Sequence, residues 1–272
     1  MKNKKILILL VLVLCMCGCG KNENYEKLKD KVKVGDYVNI TVENNTYVAK
    51  QQFTGADNDQ NISLANLTDW IVINTSVNSI ELMSLNVTND ELCFNGKIGY
   101  KNYIYVLNDL SKSFNDSYVI GGRAFGYRNQ TEKIEDDTCI DNSSLCENKK
   151  EYNKQPVEAL GFGDEDYTED YNLSKQLNVL SAGNNKYSSN HYWVASRGVY
   201  NGSLSLVYYM GKYVDAGRNL KITTEVLYEN STFFDKKDSE HCHSVRPIII
   251  ISPDSSIISG DGQTKATAYN IK

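Results

Sequence analysis

The chain has 272 residues, 34 acidic against 29 Lys and Arg for a net charge of −5, and three prolines beside nineteen tyrosines and seven phenylalanines. An acidic, Asn- and Tyr-rich chain has no basic stripe to hold nucleic acid and no polybasic patch for an anionic membrane surface. Its length suits one large domain or two small ones with a real core, and its tyrosine content favours a β-rich fold with half-wet strand positions.

The first eighteen residues read as an address. Lys2, Lys4 and Lys5 precede an unbroken apolar run, Ile6–Leu14, too short for a membrane span of roughly 20 residues. The run ends in Met16-Cys17-Gly18-Cys19 and the chain then turns polar at Lys21-Asn22-Glu23-Asn24. A small residue before a cysteine at this place resembles the lipobox of bacterial lipoproteins, whose cysteine is diacylated and becomes the new N-terminus. Gly18 makes Cys19 the lipidated residue; Cys15 and Cys17 follow the bulky Leu14 and Met16. An ordinary secretory signal is the alternative. Two acyl chains anchor a domain stably, so the expectation is a protein on the extracellular face of the cell membrane. Loss of residues 1–18 removes three lysines and takes the net charge to −8.

Residues 19–31 are charged and poor in apolar side chains, which suits a tether; residues 32–272 then form a single domain. Val34–Val42 alternates as a first strand, and Asp69–Asn74 with Ser79–Ser84 reads as a hairpin over a polar turn. Tyr103, Val106, Leu107, Leu110 and Phe114 fall at helical spacing, which predicts an amphipathic helix over Gly99–Phe114. From Arg123 to Lys186 the pattern is irregular and polar, with an acidic run at Asp164–Asp170. Tyr192–Ala195 reads as an aromatic strand turned outward by Ser196-Arg197. Ile248–Ile251, four β-branched residues behind Arg246 and Pro247, reads as a strand buried on both faces.

These motifs, V-G-D-Y, W-I-V-I, I-E-L-M-S, G-Y-K-N-Y, Y-W-V-A-S-R and S-V-R-P-I-I-I-I-S, resemble in their order a family of bacterial surface domains of Gram-positive type. The tail Gly260–Ile271 is similar too, with Ala268 where a proline is usual. The resemblance implies an α+β fold: a mixed, β-rich C-type-lectin-like domain of the formylglycine-generating-enzyme type, with one main amphipathic helix and long loops. It implies an extracellular setting and no established activity; the tyrosine-rich segment after Arg197 is what favours a binding or adhesion module over an enzyme, with a glycan or protein as ligand. The alternatives are a metal-dependent or oxidative enzyme of formylglycine-generating type, which in that family depends on a nearby copper-binding cysteine pair that Cys93, Cys139, Cys146 and Cys242 do not match, and a purely structural envelope lipoprotein.

Four cysteines follow Cys19. Cys139–Cys146 would close a short loop, Cys93–Cys242 is a further pairing, and free thiols are the alternative. Glu240-His241-Cys242-His243 is the sharpest metal-like cluster: in a strand His241 and His243 share a face, with Asp238 as a third ligand. A polar run ahead of a core strand reads first, however, as a solvated loop. Asp57–Asn61 imitates the opening of a calcium loop, but Ile62 replaces the required glycine and Thr68 the bidentate Glu. The Asp164–Asp170 run could hold calcium, though a solvated, self-repelling loop explains it as well. No other cofactor is implied. The tyrosine density after Arg197 points to recognition, so a ligand site is expected on the loops of Gly198–Asp238 around Tyr208, Tyr209 and Tyr213. Trp193, Arg197 and Arg246 would serve as structural anchors.

Overall fold

The computed structural model describes residues 25–122, 126–127, 133–134, 191–201, 205–216, 219–231 and 236–272. In chain order these give β1 (Tyr37–Asn39), β2 (Thr46–Ala49), the short helix α1 (Gln51–Thr54), β3 (Gln60–Ser63), β4 (Asp69–Thr75), β5 (Ile80–Ser84) and β6 (Leu92–Asn95). The main helix α2 (Gly96–Asp109) tightens into a 3-10 turn at Leu110–Ser113, followed by β7 (Val119–Gly122), β8 (Gly126–Tyr127) and β9 (Lys133–Ile134). Three long strands come next: β10 (His191–Asn201), β11 (Ser205–Ala216) and β12 (Asn219–Ser231). The chain closes with β13 (Lys237–Asp238), β14 (Glu240–Val245), β15 (Ile248–Ile251), β16 (Ile257–Ser259) and β17 (Tyr269–Ile271). Mostly strands with one main helix, the fold is α+β.

Two mixed sheets carry it. The first has the order β16-β17-β1-β4-β5-β15-β7, the second β13-β12-β11-β10-β14-β6. β1 with β17 and β10 with β14 are parallel, and the other ladders in these sheets are antiparallel. β4 and β5 form the expected hairpin over Ser76–Ser79, whose turn is tied by the Ser76 hydroxyl. α2 touches β7 of the first sheet and β10, β11 and β12 of the second. That double contact explains why its first half is buried almost all round, Lys101 and Asn102 included. Of the expected stripe, Tyr103, Val106, Leu110 and Phe114 are buried and Leu107 is partly so.

Trp193, Ile249 and Ile251 belong to one buried cluster with Trp70, Phe94, Tyr103 and Phe114. The two sheets are joined where β14 runs into β15. Pro247 has no N–H to give a ladder and stands in that gap, its carbonyl accepting the N–H of Ser84 at 3.1 Å. Arg246 is buried beside it and donates from Nε to the Ser84 carbonyl at 2.9 Å and from Nη2 to that of Leu85 at 3.5 Å. A guanidinium at the crossing thus binds the β5 end of one sheet to the β14 end of the other.

Several expectations change. β15 is not buried on both faces: Ile249 and Ile251 are fully covered, whereas Ile248 and Ile250 are half-buried, the alternation of an antiparallel strand between β5 and β7. β1 is limited to three residues. β10 does not turn out at Ser196-Arg197; its pairing with β11 slips between Trp193 and Arg197 and resumes with Arg197 opposite Met210. A bulge lets a strand continue through a sequence that looks like its end. The folded domain also begins before Val32. Leu28 is fully buried, the N–H groups of Leu28 and Lys29 bond to the carbonyls of Ser255 and Pro253, and Ile257 donates to Glu26. One leucine among charges is enough to fasten a segment whose composition suggests a tether.

The second sheet curls back on itself. β13 pairs with β12, while β14, after the single residue Ser239, pairs with β10 and β6. Ser239 bridges the turn by donating its N–H to the Leu227 carbonyl at 2.9 Å. Strands at both ends of the β12-β11-β10 run are therefore bonded to one continuous stretch of chain, and β12 lies beside β14 although two strands separate them in the ladder.

Candidate functional site

That closure builds a cluster of polar side chains no local pattern announces. His241 and His243 stand two residues apart on β14 and so on one face, opposite Phe94 and Leu92 of β6. Glu225 arrives from β12, where it pairs with the fully buried Met210. One carboxylate oxygen, Oε2, lies 3.3 Å from His241 Nδ1, and the other, Oε1, lies 3.3 Å from His243 Nε2. The side chains of Glu225 and His243 are 16 % and 10 % exposed, and that of His241 is 31 % exposed, so the cluster opens to solvent on the His241 side.

Packing orients the inner histidine. The Trp193 ring meets the His243 ring edge-on at 4.4 Å, and Trp193 is itself wedged against Phe94 at 5.7 Å and Tyr103 at 6.0 Å. Its indole Nε1 donates to the Leu92 carbonyl at 2.6 Å. Tyr192, the neighbour on β10, points its ring at Arg246, 5.7 Å away, and burial pushes its phenol up.

Glu240-Cys242 faces the other way. Cys242 is opposite Cys93 of β6 and the two form a disulfide across a sequence separation of 149 residues. Glu240 completes a Cys93–Glu240–Cys242 group, but sulfurs bonded to each other offer no thiolate to a metal. The run read first as a solvated loop is thus a strand with one covered histidine. Asp238, expected as the third metal ligand, instead sits against Gly96 at the start of α2. The pairing of Cys93 with Cys242 and the partnership of Glu225 with the histidines both needed the register of strands far apart in sequence.

Tyr208, Tyr209 and Tyr213 lie within β11, not on a loop, opposite Tyr228, Val226 and Ile222 of β12. Almost all described residues of Gly198–Asp238 are in strands, because β10, β11 and β12 form a long meander rather than an irregular insert. Cys139, Cys146 and the Asp164–Asp170 run lie outside the described residues. In the calcium-like stretch Asp59 accepts the Gln51 N–H at 2.9 Å and pairs with Lys50 at 2.7 Å, and the bond to Lys50 holds its carboxyl below the usual range, while Gln60 and Asn61 open β3.

Comparison with protein-family models, curated proteins and solved structures returned no match. Among the described residues no helix is long and apolar enough to cross a membrane.

Proposed function

We propose that the chain is a non-catalytic binding and adhesion module, C-type-lectin-like in fold, held on the extracellular face of a Gram-positive-type cell membrane by lipid on Cys19. The observation that carries this reading is the division of labour between the sheets. The segment leading from Cys19 is fastened at Glu26–Lys29 to the chain beside β16 in the first sheet. The second sheet devotes eleven, twelve and thirteen residues to β10, β11 and β12, more than twice a typical strand. Long ladders hold recognition residues rigidly, and β11 brings Tyr208, Tyr209 and Tyr213 onto this frame. The ligand is a glycan or a protein.

The test is a glycan and host-protein array probed with the folded chain, followed by Tyr208→Ser, Tyr209→Ser and Tyr213→Ser. Loss of affinity by about tenfold or more in at least one variant is expected, as for an aromatic hot spot. Full affinity in all three moves recognition off β11. A second reading, an oxidative enzyme of formylglycine-generating type, draws on one observation: the fold brings Cys93 and Cys242 together beside Glu240. Oxygen consumption by the reduced protein on a thiol-bearing peptide would favour it over the first.

A further inference from the structure

We propose that Cys93, Cys242 and Glu240, once the disulfide between the first two is reduced, form a binding site for one zinc(II) ion on the β6–β14 ladder. This does not rest on the binding-module reading, and unlike the oxidative reading it asks for no turnover. Among the described residues these three bring their ligand atoms together, all within 4.8 Å of one another. In a tetrahedral site with Zn–S bonds of about 2.3 Å and Zn–O bonds of about 2.0–2.2 Å, neighbouring ligand atoms stand roughly 3.6–3.8 Å apart, inside that reach.

Cys93 and Cys242 are directly opposed, with Cα atoms 4.0 Å apart. The Cys93 N–H donates to Gln60 Oε1 at 2.7 Å and its carbonyl accepts from Gln60 Nε2 at 2.9 Å, so its backbone groups point away from β14. That makes the two cysteines a non-hydrogen-bonded pair, the kind whose side chains stand closest. Glu240 lies two residues before Cys242 and so on the same face. A disulfide has no use for a carboxylate beside it. A neighbouring negative charge also disfavours thiolate, which makes the trio a poor engine for thiol exchange. A divalent ion turns that repulsion into attraction. The carboxylate further decides for zinc(II), a borderline ion, over copper(I), which sulfur alone satisfies. Opposite Glu240, Asn95 buries an Oδ1 with no hydrogen-bond partner, an acceptor for a water in the fourth position. The frame does not depend on the S–S bond, because Trp193 holds the Leu92 carbonyl and β10 holds β14. Both cysteines are half-buried and Glu240 is exposed, so reductant and ion have access.

Opening the site is a two-electron step. A dithiol reductant gives two electrons and two protons, the S–S bond becomes two thiols, and the reductant leaves as its own disulfide. Zinc(II) then displaces both thiol protons to solvent. The experiment uses the full chain with Cys139→Ser and Cys146→Ser, its other free thiols alkylated, before and after reduction by a phosphine. Zinc(II) is titrated by calorimetry and cobalt(II) by its thiolate-to-metal absorption. The expected result is one zinc(II) per reduced chain with a Kd of about 1 μM or tighter, and no binding of that strength by the oxidised chain. Glu240→Gln, which leaves the cysteines in place, should weaken binding about tenfold or more with an unchanged circular dichroism spectrum. Cys93→Ser should abolish it. No saturable binding by the reduced chain overturns the proposal. So does equal binding by the oxidised chain, and so does unchanged affinity in either variant. A reduced, metal-free chain that has unfolded by circular dichroism overturns it too, because the site is a product of strand register.

Discussion

Replacing Trp193 by alanine is the sharpest test of how the two sheets share a core. A buried tryptophan removes about 200 Å2 from water, and at about 25 cal/mol per Å2 that is roughly 5 kcal/mol. Alanine keeps part of this. The variant also strands the Leu92 carbonyl, which now accepts the indole N–H at 2.6 Å, adding about 1 kcal/mol. Partial collapse of Phe94, Tyr103 and His243 into the space returns some of the loss, so the expected cost is about 3–5 kcal/mol. In a urea titration with an m-value near 3 kcal/mol per M, the midpoint falls by about 1–1.7 M. Trp70, fully buried in the same cluster, remains as the fluorescent reporter. Trp193→Phe, which keeps a ring but not the donor, should cost roughly half as much. A loss below about 1 kcal/mol for the alanine variant would refute the packing argument and return Trp193 to the surface as a ligand contact. Equal losses in both variants would mean that the hydrogen bond, not the ring, holds the site.

Three further outcomes are expected. The Cys93–Cys242 disulfide closes a separation of 149 residues, for which chain entropy sets a ceiling of about 5 kcal/mol; a Cys93→Ser/Cys242→Ser double variant should show a lowered denaturation midpoint, and peptide mapping without reductant that finds no such link would remove the basis for it. Burial pushes the Asp36 carboxyl up against the pull of its bond to the Lys33 N–H, so the folded state binds this proton more tightly than the unfolded state. Its contribution to stability is then greatest at low pH and is lost as the pH rises through the folded-state value. Asp36→Asn should accordingly raise Tm at pH 7 by roughly 1–3 °C, with the advantage gone below about pH 4; a Tm at pH 7 no higher than that of wild type contradicts the sign. Cys19→Ser should leave the protein unprocessed or released from membranes, and a variant that fractionates with membranes as before rejects the lipid anchor.

What could be read from the chain depended on how local the cause was. The β4–β5 hairpin, the α2 stripe and the apolar β15 are each written within sixteen residues or fewer, as strict periodicity or β-branched density. The continuation of β10 was hidden because a bulge absorbs Val194–Ser196 without pairing them to β11, and Ser196-Arg197 resembles a strand end. Leu28 was hidden by its charged neighbours. The Glu225 partnership was the least accessible: an acidic residue sixteen positions before His241 has no spacing rule, and only the closure at Ser239 brings it into reach. The two histidines were recognisable as sharing a face, but their third partner had to be found in space.

The burial of Leu28 also bears on the lipid anchor proposed at Cys19. Under that proposal five residues, 20–24, lie between the lipidated cysteine and Tyr25, whose ring the Lys272 ammonium covers at 3.5 Å. A stretch of that length reaches at most roughly 20 Å. A domain moored so closely would move with its patch of membrane, and any surface it recognised would have to come close to the lipid or belong to a neighbour in the same bilayer.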